Sequence, residues 1–170
     1  ERMMALSDWL AKSPDTGQLF LLDGVTTPAN VGMVIRTVVA ADLAGIILPR
    51  KGCPKVDPLV IKASAGTAFR APILRVENAE MAARQLSDHG IPIIALRMES
   101  AINLYSFEAP PRSAWVLGNE ATGVSAAVEQ YVSRWVRIPM PGPAESLNVA
   151  VAGSVVAFEL VRRRGQDLSD

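Results

Sequence analysis

Cysteine and histidine are nearly missing: Cys53 and His89 are the single examples of each in 170 residues. One cysteine cannot close an internal disulfide, and one of each gives no Cys/His metal cluster, so zinc chemistry and thiol redox motifs are excluded. Aromatics are scarce at 5% while apolar residues reach 49%, so the core has to be built from Val, Ile, Leu and Ala. That apolar content excludes intrinsic disorder. No apolar run approaches the roughly 18 residues of a membrane-spanning helix, and the first residues lack the basic-then-apolar order of a signal peptide. A soluble, cytoplasmic protein with no membrane and no metal is the expectation. Charge of one sign is lacking too, with 17 Lys+Arg against 17 Asp+Glu. There is then no general attraction to nucleic acid, and any RNA contact has to come from local patches or from parts outside this sequence.

What is present is a rhythm of short β-branched runs and helical stretches in a length that suits one folded domain. The run Leu19 to Leu22 reads as a strand, Asn30 to Leu43 as a helix and Gly45 to Leu48 as a strand. The pattern continues through a strand at Ile73 to Val76, a helix over Ala79 to His89, and strands at Ile91 to Leu96, Ala114 to Leu117 and Val136 to Ile138. A long last helix starts at about Ser146. Such alternation predicts an α/β fold with a mostly parallel sheet covered by helices on both faces. In open sheets of this kind, ligands sit beyond the carboxyl ends of the strands. Residues 1–17, with Met3 to Leu10 at near-helical spacing before a turn at Ser13 to Gly17, read as an N-terminal helix and linker, the end of an upstream domain in one reading. Residues 18–170 read as the main domain.

The last helix is apolar nearly all round, with Ser154 and Glu159 its clearly polar side chains between Val149 and Val161. It has to be buried on most sides. The small residues Ala150, Ala152, Gly153 and Ala157 suggest close approach of a second chain, a homodimer through this helix. A central core helix of a monomer is the alternative. Arg162 to Arg164 either complement the carboxyl end of the helix dipole or form an RNA patch.

Three strand-to-helix joints carry unusual polarity. In the first, Asp23 to Arg36, Asn30 is placed as a helix N-cap after a proline turn, and Arg36 lies only roughly on the same side; either both face the cleft, or Asn30 is a simple cap and Arg36 a surface residue. The glycines do not follow G-x-G-x-x-G, which argues against a nicotinamide or flavin Rossmann enzyme, and against a Rossmann-type methyltransferase. In the second, Leu117 to Ser125, Gly118 and Gly123 flank Glu120, and Ser125 reads as the next N-cap. In the third, Ile138 to Asn148, prolines fix a loop that enters the apolar helix, with Ser146 or Glu145 expected to cap it. Capping accounts for each joint alone but not for three of them in one small domain.

In order, the joints read N-x-G-x-x-x-R, L-G-x-E-x-x-G and I-P-M-x-G-x-x-x-S-L-N-V-x-V-A. The set resembles the three motifs of the SpoU/TrmH family of RNA ribose 2′-O-methyltransferases, in the SPOUT superfamily, from Leu19 to Arg164. The resemblance implies a SPOUT fold with a C-terminal trefoil knot, S-adenosylmethionine as cofactor, and an RNA partner, ribosomal RNA first and transfer RNA second. It also implies a homodimer packed beside the knot. It places Asn30, Arg36, Glu120, Ser146 and Asn148 in the catalytic and RNA-facing set, and Leu117, Gly118, Ile138, Met140 and Leu147 around the cofactor. Val39, Ala41, Asp42, Ala121 and Ala150 depart from the usual pattern.

In that chemistry a methyl group passes in line from a sulfonium to a ribose oxygen, and alignment alone is worth several kcal/mol. A guanidinium is a poor base with a pKa above about 12, so Arg36 is expected to stabilise the developing oxyanion. Asn30 and Asn148 would hold the ribose and Arg36, Ser146 a phosphate or the backbone, and Glu120 would orient the site. A non-catalytic RNA-binding module is the alternative, and the intact motif residues count against it. Arg50, Lys51, Lys55, Lys62 and Arg70 are expected to form a phosphate-contacting rim.

Overall fold

The computed structural model describes residues 3–12, 15 and 17–165. Its centre is a seven-stranded sheet in which every pairing is parallel. The strands are β1 (Met3–Ala5), β2 (Gly17–Asp23), β3 (Gly45–Pro49), β4 (Ile73–Val76), β5 (Ile93–Leu96), β6 (Arg112–Gly118) and β7 (Arg134–Val136). Their spatial order is β1-β4-β3-β2-β6-β5-β7. The helices are α1 (Leu6–Ala11), α2 (Pro28–Ala40), α3 (Pro58–Ala63), α4 (Ala79–Asp88), α5 (Ala126–Glu129) and α6 (Val149–Gly165).

Parallel strands covered on both faces need apolar side chains at successive positions. β2 shows the consequence. Phe20 and Leu22 enter one core with Val34, Ile35, Trp115, Leu117 and Val156, under α2 and α6. Leu19 and Leu21 enter the other with Leu10, Ala83, Leu86, Ala114 and Val116, under α1 and α4.

Several elements differ from the sequence reading. Met3–Ala5 is an edge strand beside β4, not the start of a helix, because β4 offers an unpaired backbone edge there. Of the expected turn that follows, residues 13, 14 and 16 lie outside the described residues. Helix α3 was not foreseen; its start is fixed by Asp57, whose carboxylate accepts from the N–H groups of Leu59 and Val60, with Pro58 in the first helical position. Strand β7 ends at Val136, two residues earlier than expected.

Helix α6 begins at Val149, and neither Ser146 nor Glu145 caps it. Asn148 does, its Oδ1 accepting from Ala150 N at 2.9 Å and Val151 N at 3.3 Å. The small residues of α6 serve packing within the chain. A Cβ on Gly153 would come within 2.9 Å of Leu117 Cδ1, and Ala150 and Ala157 are buried. Ser154 donates or accepts a bond to Thr37 of α2 at 2.9 Å. The outward face is instead Val151 and Phe158, each 49% exposed.

The three arginines that follow are structural. Arg162 and Arg163 grip the buried Glu159 carboxylate, which holds that carboxyl below its ordinary pKa. Arg163 also donates to Tyr105 O, and Arg164 to the carbonyls of Ala41 and Asp42 just past the end of α2. The dipole that these cations complement is therefore that of α2 as well as their own helix. Among the described residues no helix is long and apolar enough to cross a membrane.

Candidate active site

All strands being parallel, their carboxyl ends lie on one side, and the three polar joints meet there. β2 and β6 are neighbours in register from Gly17 with Arg112 to Asp23 with Gly118. The joints that follow them are consequently adjacent and tied together by side chains. Asn119 Nδ2 donates to Gly24 O at 2.8 Å, while its Oδ1 accepts from the N–H groups of Ala121 and Thr122. Asp23 accepts from Ser125 N at 2.6 Å and from Ser125 Oγ at 3.2 Å. Ser125 stands at the start of α5 as expected, but its hydroxyl makes no cap; it is turned to Asp23. Gly24 and Gly123 adopt left-handed φ values of 74° and 70°, which a side chain disfavours.

The third joint reaches the other two through Asn30. Sequence spacing suggests Asn30 as an N-cap, but Thr27 occupies that position and Asn30 lies inside the first turn of α2, buried. The reason is Pro28, which starts the helix one residue after Thr27. Asn30 Nδ2 donates to Glu120 Oε1, and Asn30 Oδ1 accepts from Asn148 Nδ2 at 3.1 Å. One side chain from each joint thus forms a continuous chain, Glu120–Asn30–Asn148. An amide nitrogen carries two N–H donors, so Asn30 and Asn148 each keep one for a ligand.

Beside this chain lies a cavity of about 210 Å³. All of Leu117, Gly118, Ile138, Met140 and Leu147 line it, together with Glu120 and Ser146. Ser146 is exposed at its rim. The walls are mostly apolar, with a carboxylate on one side. That chemistry fits a flat heteroaromatic group carrying a cationic centre, and a drier site strengthens any charge interaction within it. The backbone is crowded at Gly118, where an added Cβ would meet Gly123 C at 2.5 Å and Val124 N at 2.7 Å.

Arg36 does not join this cluster. Six residues past Asn30, it lies about 120° round the helix at about 100° per residue, so the two face different ways. It is exposed and makes no hydrogen bond or ion pair among the described residues, on the outward face of α2 with Met33.

Sequence reasoning missed three contributors. Asp23 and Asn119 hold the joints together, and Arg97 lines the cavity from the end of β5. Arg97 bonds to Glu129 and stacks 3.6 Å over the ring of Trp135. Its signal was its position: β5 also ends on this side, next to β6. Of the five cations expected on an RNA rim, Lys51 pairs with Glu77 at 3.0 Å, while Arg50 and Lys55 line a separate hollow. Cys53 lies between these last two, and burial pushes its thiol pKa up to about 11, so it stays protonated at neutral pH.

Residues 18–158 match the model of the SpoU rRNA Methylase family. The chain belongs to that family. It is 36% identical over 159 residues to the 23S rRNA (guanosine-2'-O-)-methyltransferase RlmB of Xylella fastidiosa, covering 94% of this chain and 64% of that protein. Among solved structures, it is similar to the SpoU methyltransferase AviRb of Streptomyces viridochromogenes in complex with the cofactor AdoMet. That match has a TM-score of 0.81 and 26% identity, over 94% of this chain and 64% of the other. A protein solved in work on the 2-OH methylation of C/U34 on tRNA matches with a TM-score of 0.76 and 26% identity, over 90% of this chain and 99% of the other. The chain spans about two thirds of the length of RlmB from Xylella fastidiosa.

Proposed function

We propose that this chain catalyses S-adenosylmethionine-dependent methylation of a ribose 2′-hydroxyl in RNA, with ribosomal RNA as substrate and the cytoplasm as its place of action. The observation that carries the reading is the Glu120–Asn30–Asn148 chain, which joins all three motifs at the wall of an apolar cavity. Membership in a family whose relatives act on 23S rRNA supports the substrate. The tRNA-linked structure favours transfer RNA as the second candidate.

Leu117, Ile138, Met140 and Leu147 would hold the adenosyl group of the cofactor and exclude water, and Gly118 would let it approach the backbone. When bound, S-adenosylmethionine supplies an electrophilic methyl group on a sulfonium. Glu120 is kept in place by Asn30 and orients the site. The spare N–H donors of Asn30 and Asn148 are aimed at the ribose, and Ser146 at the rim positions a phosphate. Arg36 faces away from this cluster in its own chain; from across a dimer interface its planar fork would supply positive charge to the oxygen as the hydroxyl proton passes to solvent.

Transfer of labelled methyl from S-adenosylmethionine to separated ribosomal and transfer RNA tests this. Label is expected in ribosomal RNA, with Arg36→Lys, which keeps the charge and loses the fork, at least tenfold slower. Wild-type rates in that variant would remove the guanidinium from the account.

The same reading includes a homodimer. Its support is the outward surface of Val151 and Phe158 on α6 and Met33 on α2, large apolar side chains left open beside Arg36. A second copy covering this face would bring Arg36 to the interface. Light scattering after size exclusion is expected to give twice the chain mass for the wild type and the chain mass for Phe158→Glu. A monomeric wild type would contradict it.

The trefoil knot also belongs to this reading. It is supported by Arg137, whose N–H donates to Ile102 O and whose carbonyl accepts from Leu104 N, both in the β5–β6 connection, before the chain returns to pack α6 against α2.

A further inference from the structure

A second hollow, of about 380 Å³, opens at the carboxyl ends of β3 and β4, on the same side of the sheet as the site above. Its lining is Met3, Met4, Ala5, Arg50, Lys55, Val56 and Arg75, with three cations and, among the described residues, no carboxylate. Arg75 comes from β4, is half-buried, and keeps Nη1 out of solvent with no acceptor among the described residues. Arg50 follows the end of β3 and is exposed, as is Lys55. Of the described acids nearest in sequence, Glu77 is paired with Lys51, and Asp57 accepts from the N–H groups of Leu59 and Val60 at the start of α3.

Cations set round one depression with no ion pair among the described residues repel each other, and a buried guanidinium donor without an acceptor is destabilising. Consistent with this, burial and then the nearby Arg50 push the pKa of Arg75 below the usual guanidinium value. What would satisfy all three side chains is an anion with several acceptor oxygens, and a guanidinium fork matches a phosphate face. The loop that lines the hollow also touches the first joint of the methyl-transfer site. A Cβ built on Gly52 would lie 3.9 Å from Gly24 Cα, so the loop carrying Arg50 and Lys55 rests against the joint that Asn119 holds.

We propose that Arg50, Lys55 and Arg75 form a docking site for a backbone phosphate of the RNA substrate, one that anchors the strand to the side of the reacting ribose. This rests on the RNA methylation reading and adds a subsite to it. Arg75 was absent from the cations that sequence clustering picked out, because it sits alone in an apolar strand; Lys62 and Arg70, which were picked out, do not line the hollow.

The test is binding of fragmented ribosomal RNA to the full chain over a range of salt, with S-adenosylmethionine binding measured in parallel by calorimetry. For Arg75→Gln, and for the double variant Arg50→Ala/Lys55→Ala, which alters only exposed side chains, RNA affinity is expected to fall about tenfold. The slope of log affinity against log salt should drop by roughly one for each cation removed. Cofactor affinity should stay at the wild-type value. The pair Lys62→Ala/Arg70→Ala, equal in charge but outside the hollow, should lose less than half as much. If the double variant loses no more than this control pair, the phosphate site is overturned while RNA binding stands. If the wild-type chain binds no RNA, the underlying reading falls with it.

Discussion

Replacing Gly118 with alanine is expected to abolish cofactor binding. The added Cβ has no room: Gly123 C would lie at 2.5 Å, Gly123 O at 2.7 Å and Val124 N at 2.7 Å, all of them backbone atoms that cannot rotate away. The 119–123 loop is closed by two backbone bonds, Asn119 N to Gly123 O at 2.9 Å and Gly123 N to Asn119 O at 2.8 Å. It therefore has to shift as a unit, taking Glu120 and the cavity wall with it. Overpacking of this kind costs about 1–3 kcal/mol of stability, or roughly 2–12 °C in Tm for a chain of this size. Calorimetric affinity for S-adenosylmethionine should fall on the order of 100-fold or more, since the loop forms one side of the pocket. Gly165→Ala, where a Cβ meets nothing within 4 Å among the described residues, serves as the control and should leave both quantities unchanged.

Asn30→Ala should produce the second large effect, on turnover more than on binding. It deletes the acceptor of Asn148 and the donor to Glu120 in one step, and leaves both groups free to turn from the productive geometry. Loss of a single preorganised hydrogen-bonding group in an active site typically lowers kcat on the order of 100-fold. The KM for S-adenosylmethionine should change little, because Asn30 is not among the residues lining the cavity. Asn30→Asp keeps the volume but sets a second carboxylate against Glu120, and like charges at that range destabilise the ionised pair. Its kcat should be at least as low. A kcat within twofold of wild type for Asn30→Ala would show that the three joints do not act through this side chain.

The architecture was legible because β2 to β6 are short, mostly apolar runs alternating with helical stretches, the pattern of a parallel sheet covered on both faces. What escaped were elements whose cause lies elsewhere in the fold. Met3–Ala5 becomes a strand because β4 has a free edge, and α3 is short enough that Asp57 and Pro58 were its only marks. The site was legible as three joints but not as a geometry. Asn30 carries the same residue type whether it caps a helix or bridges two loops, and only the position of Pro28 decides between them. Ser125 does not cap α5, and Asn148 rather than Ser146 or Glu145 caps α6, for a related reason: several side chains near a helix start can accept its free N–H groups, and packing selects which one does. The small residues of α6 illustrate the limit most clearly. Gly153 does permit a close approach, but the neighbour is Leu117 of the same chain.

The central claim is that these joints direct a methyl group to a ribose oxygen. Its most direct test uses the chemistry of that oxygen. RNA labelled by the wild-type chain with methyl from S-adenosylmethionine is hydrolysed in alkali, which cleaves only where a free 2′-hydroxyl can attack the neighbouring phosphate. The account predicts label in alkali-resistant dinucleotides, with none formed by Gly118→Ala. Label released as base-methylated mononucleotides, or no transfer to RNA by the wild-type chain, would contradict it.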